Sequence, residues 1–171
     1  MGRPARGARL VLAAAAIIAA AVVSLPLRDC LVVRTGCAKT AALFPLGRED
    51  PAFIISWRHS VTREPCAEYY RRAEGGRIAL YRTVFKGLGA GLPFGDEGGR
   101  VSIQDGAIVI DGMERTLPRI VLAALPLTEH RLQAGRREAA VLSLLDGEHV
   151  AVFTIEKKSL ARIAMAMAGL R

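Results

Sequence analysis

The residues of this chain with the clearest potential for chemistry are two histidines and a glutamate. His59 lies in residues 53–61, where odd positions are apolar and even positions are mostly polar, so we predict a half-buried strand with His59 on its apolar face. A second strand is predicted at residues 66–72, after a four-residue loop, and this pairing sets His59 opposite Glu68. Directly opposed side chains lie about 4.5 to 5.5 Å apart at Cβ. The pattern therefore predicts a hydrogen bond between an imidazole and a carboxylate on an aromatic face.

The turns set the register of the strands around this pair. Gly75 and Gly76 signal a two-residue hairpin that leads into a third strand, so the three strands form a meander. The expected cross-strand pairs are Val61 with Cys66, Trp57 with Tyr70, Glu68 with Thr83, and Tyr70 with Tyr81. A slip of one residue would turn His59 and Glu68 to opposite faces, so the register tests the interpretation.

Six polar residues are expected to converge near this pair, namely His59, Ser60, Glu68, Thr83, Thr128 and His130. If both histidines and the glutamate meet, they form a two-histidine, one-carboxylate set able to hold zinc or a similar cation. The alternative is structural: His59 and Glu68 form a buried pair that fixes the register, and His130 is satisfied by a backbone carbonyl. Ser60 is a poor nucleophile candidate, because neighbours in a strand point to opposite faces and His59 cannot easily activate it.

A glycine-rich stretch at residues 86–99 follows the meander. Its candidate residues are Gly87, Gly89, Gly91 and Pro93. Bare backbone amides could cradle an anion there. A phosphate site of the usual kind needs a helix that opens directly after the glycines, whereas here an acidic pair and another predicted strand follow. We therefore favour a flexible turn over an anion site.

The chain begins with a candidate targeting segment. Arg3, Arg6 and Arg9 precede residues 10–27, a stretch of 18 residues without a charge. This layout is typical of a signal anchor or a signal peptide, with the arginines left in the cytoplasm. We predict two parts, a signal anchor or signal peptide at residues 1–27 and an exported domain at residues 28–171. We favour a retained anchor in the cytoplasmic membrane with a periplasmic domain; the alternative is cleavage and secretion to the periplasm.

The charge of the exported part argues against one class of partner. Of the 24 lysines and arginines, three lie in residues 1–27, so 21 remain against 16 acidic residues, a net charge of +5. The two signs are interspersed along the chain. A nucleic-acid-binding surface would need a basic stripe with exposed aromatic residues. We expect no nucleic-acid partner, and we interpret the basic residues as a solvated surface near anionic lipid headgroups.

Three cysteines suit an oxidising compartment. Cys30 and Cys37 could close a small loop as a disulfide, which would leave Cys66 as the odd thiol. The alternative is that all three cysteines stay reduced. No CxxC or Cys/His ligand spacing occurs, so a structural zinc site is not expected.

The rest of the pattern indicates a β fold. Extended segments are predicted at residues 31–35, 39–46, 100–104, 107–111 and 119–132, with a last hairpin formed by residues 138–145 and 148–155. Ser159 is the expected cap of a short C-terminal helix. We therefore predict a mainly β protein: a single antiparallel β sandwich or barrel with an N-terminal transmembrane or signal helix and a short C-terminal helix.

Three segments of the chain resemble a known family in order and spacing. They are WRHSVTREPCAE at residues 57–68, FKGLGAGLP at residues 85–93 and TEHRL at residues 128–132. The chain is similar to the bacterial domain of unknown function family 1850, which is associated with TAXI-type TRAP transporters. The resemblance implies a small exported β domain with an accessory role beside a transporter, touching its membrane subunit or its solute-binding protein. It implies no reaction.

Two functions follow as expectations. The first is a membrane-tethered extracytoplasmic accessory or binding module, without catalytic activity. The second, as the alternative, is a small hydrolase or metal-dependent enzyme that uses His59, Glu68 and His130. The sequence does not identify a cofactor. The two differ in geometry, since the enzyme needs those three side chains at a common open cavity.

Overall fold

The structure is a computed structural model that describes residues 6–26, 28–86 and 98–169. The glycine-rich candidates Gly87, Gly89, Gly91 and Pro93 lie outside these described residues.

Within the described residues the chain forms two α-helices, eleven β-strands and three short 3-10 helices. The strands are β1 (Arg28–Thr35), β2 (Thr40–Pro45), β3 (Phe53–Arg58), β4 (Pro65–Arg72), β5 (Ile78–Phe85), β6 (Arg100–Gln104), β7 (Ala107–Leu117), β8 (Ile120–Ala123), β9 (Arg131–Ala134), β10 (Arg137–Ala140) and β11 (Val150–Lys158). The helices are α1 (Arg6–Ser24) and α2 (Leu160–Ala168), and the 3-10 helices are Glu74–Gly76, Pro126–Thr128 and Leu142–Leu144.

The strands form two antiparallel sheets that share one core. The four-stranded sheet has the order β2-β1-β11-β8, and the seven-stranded sheet has the order β10-β9-β3-β4-β5-β7-β6. Leu31 and Phe153 from the first sheet belong to the same buried cluster as Phe53 and Phe85 from the second. Two sheets packed on a shared apolar core are the sandwich arrangement. The prediction of a mainly β, antiparallel fold with a short C-terminal helix is confirmed.

The register of the first hairpin differs from the predicted one by four residues. Strand β3 ends at Arg58, and Trp57, Ile55 and Phe53 lie opposite Cys66, Glu68 and Tyr70. The predicted pairs Val61 with Cys66, His59 with Glu68, and Trp57 with Tyr70 are therefore wrong.

The physical reason is a longer loop than the sequence pattern suggested. Residues 59–64 connect the two strands, closed by a hydrogen bond from the N–H of His59 to the carbonyl of Glu64 (2.9 Å) and one from the N–H of Arg63 to the carbonyl of His59 (2.9 Å). Because side chains alternate with a period of two, an even shift leaves the residues within β3 and β4 on their predicted faces, whereas Val61, predicted on the apolar face, lies in the loop and is exposed. The hairpin therefore keeps its face while losing its predicted partners.

The second hairpin follows the prediction for half its length. Glu68 lies opposite Thr83, as expected. The pairing then shifts between Tyr69 and Tyr70, so Tyr70 lies opposite Leu80 and the predicted pair of Tyr70 with Tyr81 is wrong. The cause is a β-bulge, which places two residues of one strand against one of the other.

The last third of the chain departs most from the predicted pattern. Strand β7 continues through Gly112, where φ is +77°, instead of ending at residues 111–112. The extended run at residues 119–132 is divided between β8 and β9, which belong to different sheets. The predicted last hairpin is wrong, because β10 pairs with β9 whereas β11 pairs with β1 and β8. Between β10 and β11 the chain turns inward and buries Val141 and Leu145 completely.

The structure bears out more of the prediction for α2 than for α1. Ser159 caps α2 as expected, because its side chain accepts a hydrogen bond from the N–H of Arg162 (3.3 Å). Ile163 of α2 packs on Cys30 and Leu43, which attaches the helix to the four-stranded sheet. Helix α1 occupies most of the predicted signal segment. Among the helices of residues 6–26, 28–86 and 98–169, none is both long and apolar enough to cross a membrane.

The cysteines are all free, so the predicted disulfide between Cys30 and Cys37 is not formed. The reason is the extension of β1: from Cys30 to the end of the strand at Thr35, five steps at about 3.3 Å each span roughly 16 Å, and Cys37 lies in the turn beyond, whereas a disulfide needs Cα atoms within about 7 Å. Burial raises the pKa of the Cys30 and Cys66 thiols. Cys37 is exposed and is the accessible thiol of the described residues.

We expect Gly99→Ala to destabilise the sandwich. A Cβ at this position would lie 2.6 Å from Cγ2 of Ile110 and 2.9 Å from Cγ of Met113, both of which are buried. Overpacking of this kind costs about 1 to 3 kcal/mol in the free energy of unfolding, measured by denaturant titration. Gly47→Ala is the matched control, since its Cβ would meet nothing nearer than 3.9 Å. Equal stability of the two variants would contradict the packing of β6 on β7.

Candidate functional site

A cavity of about 450 Å³ lies where the seven-stranded sheet meets β8, the edge strand of the other sheet. Five of the six polar residues singled out from the sequence line it: His59, Ser60, Glu68, Thr128 and His130. Its apolar walls come from β3, β4 and β8 and include Ile55, Trp57, Tyr70, Ile120 and Leu122.

Thr83 is the predicted site residue that does not reach the cavity. It lies on β5 opposite Glu68 and is only 1% exposed. Within the described part of the chain its hydroxyl oxygen has no hydrogen-bond partner. The cross-strand pairing was predicted correctly, but Thr83 lies in the core beside the site and does not line it.

His59 reaches the cavity from the first residue of the loop between β3 and β4. Its Nδ1 accepts hydrogen bonds from the backbone N–H groups of Val61 and Thr62, each at 3.3 Å. A nitrogen that accepts from two donors carries no proton, so the proton of the neutral ring is on Nε2. The loop thereby sets the tautomer of His59. The ring thereby satisfies two backbone amides of the six-residue loop.

His130 reaches the cavity from the segment between β8 and β9, two residues after the end of the 3-10 helix Pro126–Thr128. The hydroxyl of Thr128 donates its single proton to the carbonyl of Leu125 (2.9 Å) and lies 2.8 Å from Nδ1 of His130. The hydroxyl therefore accepts from His130, whose ring proton is on Nδ1. The expectation that His130 is satisfied by a backbone carbonyl is wrong. Its ring bonds to the Thr128 hydroxyl, and that hydroxyl bonds to the carbonyl.

Burial keeps His130 neutral. Only 8% of the residue is exposed, and burial lowers the pKa of its imidazole to about 4. At neutral pH Nε2 of His130 is an unprotonated acceptor, whereas Nε2 of His59 in its neutral form carries the proton. The two histidines of the cavity thus present opposite hydrogen-bonding character, and each is fixed by its own loop.

Aromatic rings pack around these polar groups. The Trp57 ring stacks on His130 with 6.0 Å between centroids and 24° between planes, and Tyr70 stacks on Phe53 at 4.9 Å. The hydroxyl of Tyr70 donates a hydrogen bond to Glu68, two residues earlier on the same face of β4. Burial and the Glu68 carboxylate both raise the pKa of Tyr70, so this hydroxyl stays protonated.

Three charged residues that sequence reasoning missed join the two loops of the cavity. Arg63 and Arg58 bind the two carboxylate oxygens of Glu129 at 2.9 and 3.2 Å. Arg63 also donates to the carbonyl of Leu127. This group, which we call the clasp (Arg58, Arg63 and Glu129), connects the loop of His59 to the segment of His130. Arg58 and Glu129 are the sequence neighbours of the two histidines. Because they are far apart along the chain, the sequence does not show that they are in contact.

The zinc-binding set suggested by the sequence is not assembled. His59, Glu68 and His130 line one cavity, yet among the described residues no group of three or more His, Cys, Asp or Glu side chains is placed to hold a metal ion. The cavity has apolar walls and a few polar side chains that line it. Its arrangement suits the binding of an organic molecule.

The fold and this site define a two-sheet β domain with a ligand-sized cavity at the junction of its sheets. Residues 53–140 match the family described as Domain of unknown function (DUF1850), and the chain belongs to that family. All the residues that line the cavity fall within the matched segment. No curated protein and no solved structure matches the chain.

We expect His130 to make the protein less stable in mild acid. Its pKa is about 4 when folded and 6.5 without the fold, so between these values the unfolded chain binds more protons. Acidification from about pH 7 to about pH 5 should lower the free energy of unfolding by about 2 kcal/mol through this group. The fall should disappear in His130→Gln and persist in His149→Gln, since His149 is exposed. Denaturant titrations at both pH values would check it; an unchanged fall in His130→Gln would contradict the buried neutral ring.

Proposed function

We propose that this protein is a membrane-tethered binding module on the periplasmic side of the cytoplasmic membrane, an accessory of a TAXI-type TRAP transporter. It binds a small molecule in the cavity between its sheets and catalyses no reaction. The observation that carries the binding role is the cavity itself, in which two oriented imidazoles, a carboxylate and a tryptophan face a common space.

The size and lining of the cavity support a binding role. Small-molecule sites occupy about 300 to 1,000 Å³ and combine mostly apolar walls with a few fixed polar groups. This cavity has about 450 Å³, and its polar groups are positioned by loop hydrogen bonds and by the clasp. A site organised in this way, before any ligand arrives, loses little conformational freedom on binding.

The contacts of the same residues do not favour the hydrolase or metal-dependent alternative. The Nδ1 lone pair of His59 is used by the amides of its own loop. Ser60 follows His59 directly, and no contact of the described residues shows activation of its hydroxyl. Binding without a reaction is therefore the function that the geometry supports best.

The membrane tether is supported by the beginning of the chain. Arg3, Arg6 and Arg9 precede the charge-free residues 10–27, and positive residues of this kind stay on the cytoplasmic side. Helix α1 ends four residues before β1 begins, so a tether at residues 1–27 would hold the sandwich close to the membrane surface.

The transporter association is supported by the family. The chain belongs to the family described as Domain of unknown function (DUF1850). The association with TAXI-type TRAP transporters is what the resemblance of its three motifs implies. The partners we propose are the membrane subunit of the transporter or its solute-binding protein.

Cys37 provides a direct test of the periplasmic location. It is exposed, whereas Cys30 and Cys66 are buried, so a membrane-impermeant maleimide should react with one thiol of the full chain. We expect labelling in intact spheroplasts and its loss in Cys37→Ser. Labelling that appears only after lysis would contradict the location.

Cross-linking in the native membrane tests the transporter association. The tagged full chain should enrich the TRAP membrane subunit or solute-binding protein, identified by mass spectrometry, relative to an unrelated anchored periplasmic protein. A truncated variant carries residues 28–171 behind a cleavable signal peptide, so that contacts made by the sandwich are separated from mere co-residence in the membrane. Equal recovery of transporter subunits with the unrelated protein would contradict the accessory role.

A further inference from the structure

We infer that the cavity takes a small non-anionic organic molecule, with an apolar body and a hydrogen-bond-donating end such as an amine or alcohol, and that Nε2 of His130 accepts this hydrogen bond. The inference rests on the proposed binding function and names the class of ligand for the same site.

Hydrogen bonds fix the tautomer of His130. Its Nδ1 donates to Thr128, whose own proton is committed to the carbonyl of Leu125. The ring has a single remaining nitrogen, and Nε2 must be an acceptor. His130 lines the cavity, and the hydrogen bond that its ring makes within the described residues goes to Thr128. A ligand that offers an N–H or O–H there completes the hydrogen bonding of a nearly buried ring.

Two contacts fix the orientation of that acceptor. The Trp57 ring stacks on one face of His130, and the hydrogen bond from Nδ1 to Thr128 holds one edge of the ring in place. The Nε2 lone pair lies in the plane of the imidazole ring. The stacked tryptophan covers a face of that ring and therefore does not block the lone pair. A ligand that reaches Nε2 therefore lies with its body near Trp57 and the aliphatic wall formed by Ile55, Ile120 and Leu122.

The neutral acceptor of His130 also decides the charge of the ligand. The hydroxyl of Tyr70 donates to the Glu68 carboxylate at the cavity wall, so this hydroxyl is already engaged. A carboxylate ligand would face the lone pair of His130 with an acceptor of its own. The low pKa of His130 agrees, because the imidazolium that could donate to an anion does not form near neutral pH.

A matched series of ligands tests this class. Cyclohexylmethylamine, cyclohexylmethanol and cyclohexanecarboxylate share one apolar body and differ at the polar end. Each is titrated into the purified full chain in detergent, and long-range proton–nitrogen NMR follows the ring nitrogens of the histidines. We expect Nε2 of free His130 to be unprotonated and to shift with the amine and the alcohol. The carboxylate should bind at least about tenfold more weakly, the factor expected for one lost hydrogen bond.

Variants separate the cavity from the rest of the surface. His130→Leu should weaken binding of the amine and the alcohol about tenfold or more, whereas His149→Gln, an exposed control, should leave it unchanged. If His130→Leu does not fold, the ring-nitrogen shifts of the unaltered protein decide alone. Equal or tighter binding of the carboxylate would overturn the inference, and so would the absence of any shift at His130 with all three compounds.

The failure of this inference is distinguishable from failure of the proposed function. Carboxylate binding in the cavity would reject the ligand class and leave the binding module in place. Labelling of Cys37 only after lysis, or no enrichment of transporter subunits, would reject the location or the accessory role. Neither result would change the ligand titrations, which are made on the purified protein.

Discussion

The structure depends on the segment that connects β8, in the four-stranded sheet, to β9, in the seven-stranded sheet. Backbone groups in such a segment have no ladder to satisfy them. The N–H of Ala124 donates to the carbonyl of His149 (2.7 Å), and both the N–H and the hydroxyl of Thr128 donate to the carbonyl of Leu125. On the far side the N–H of Val141 donates to the carbonyl of His130 (2.8 Å). These bonds fix where His130 lies and leave the cavity at the junction.

Much of the local structure could be predicted because it depends on neighbouring residues. The period-two alternation identified β3 and β4, and the side chain of Ser159 marked the beginning of α2. Five of six polar residues reached one cavity although the hairpin register was wrong. The error was four residues, and an even error leaves inward-facing positions inward-facing. The predicted strand face was enough to identify the cavity lining, whereas the predicted cross-strand register of His59 with Glu68 was wrong.

The rest could not be predicted because it depends on contacts between distant segments. No local pattern shows that a histidine ring will accept hydrogen bonds from two amides of its own loop. The clasp joins Arg58 and Arg63 to Glu129 across more than sixty residues, an arrangement visible only once both loops are placed. Likewise β11 reads as the partner of residues 138–145, whereas it pairs with β1 from the opposite end of the chain. The alternating pattern of β11 is compatible with either partner. The shared core favours the pairing with β1.

The boundary between the family match and the rest of the chain follows the architecture. Residues 53–140 run from the start of β3 to the end of β10, so they supply the whole seven-stranded sheet and, through β8, one strand of the other. The three remaining strands, β1, β2 and β11, bury Leu31 and Phe153 against that sheet. Without them, one apolar face of the matched segment would be exposed to water, at about 25 cal/mol for each Å² of apolar surface. The matched segment therefore carries the cavity, and the flanking strands make the core that holds the cavity in shape.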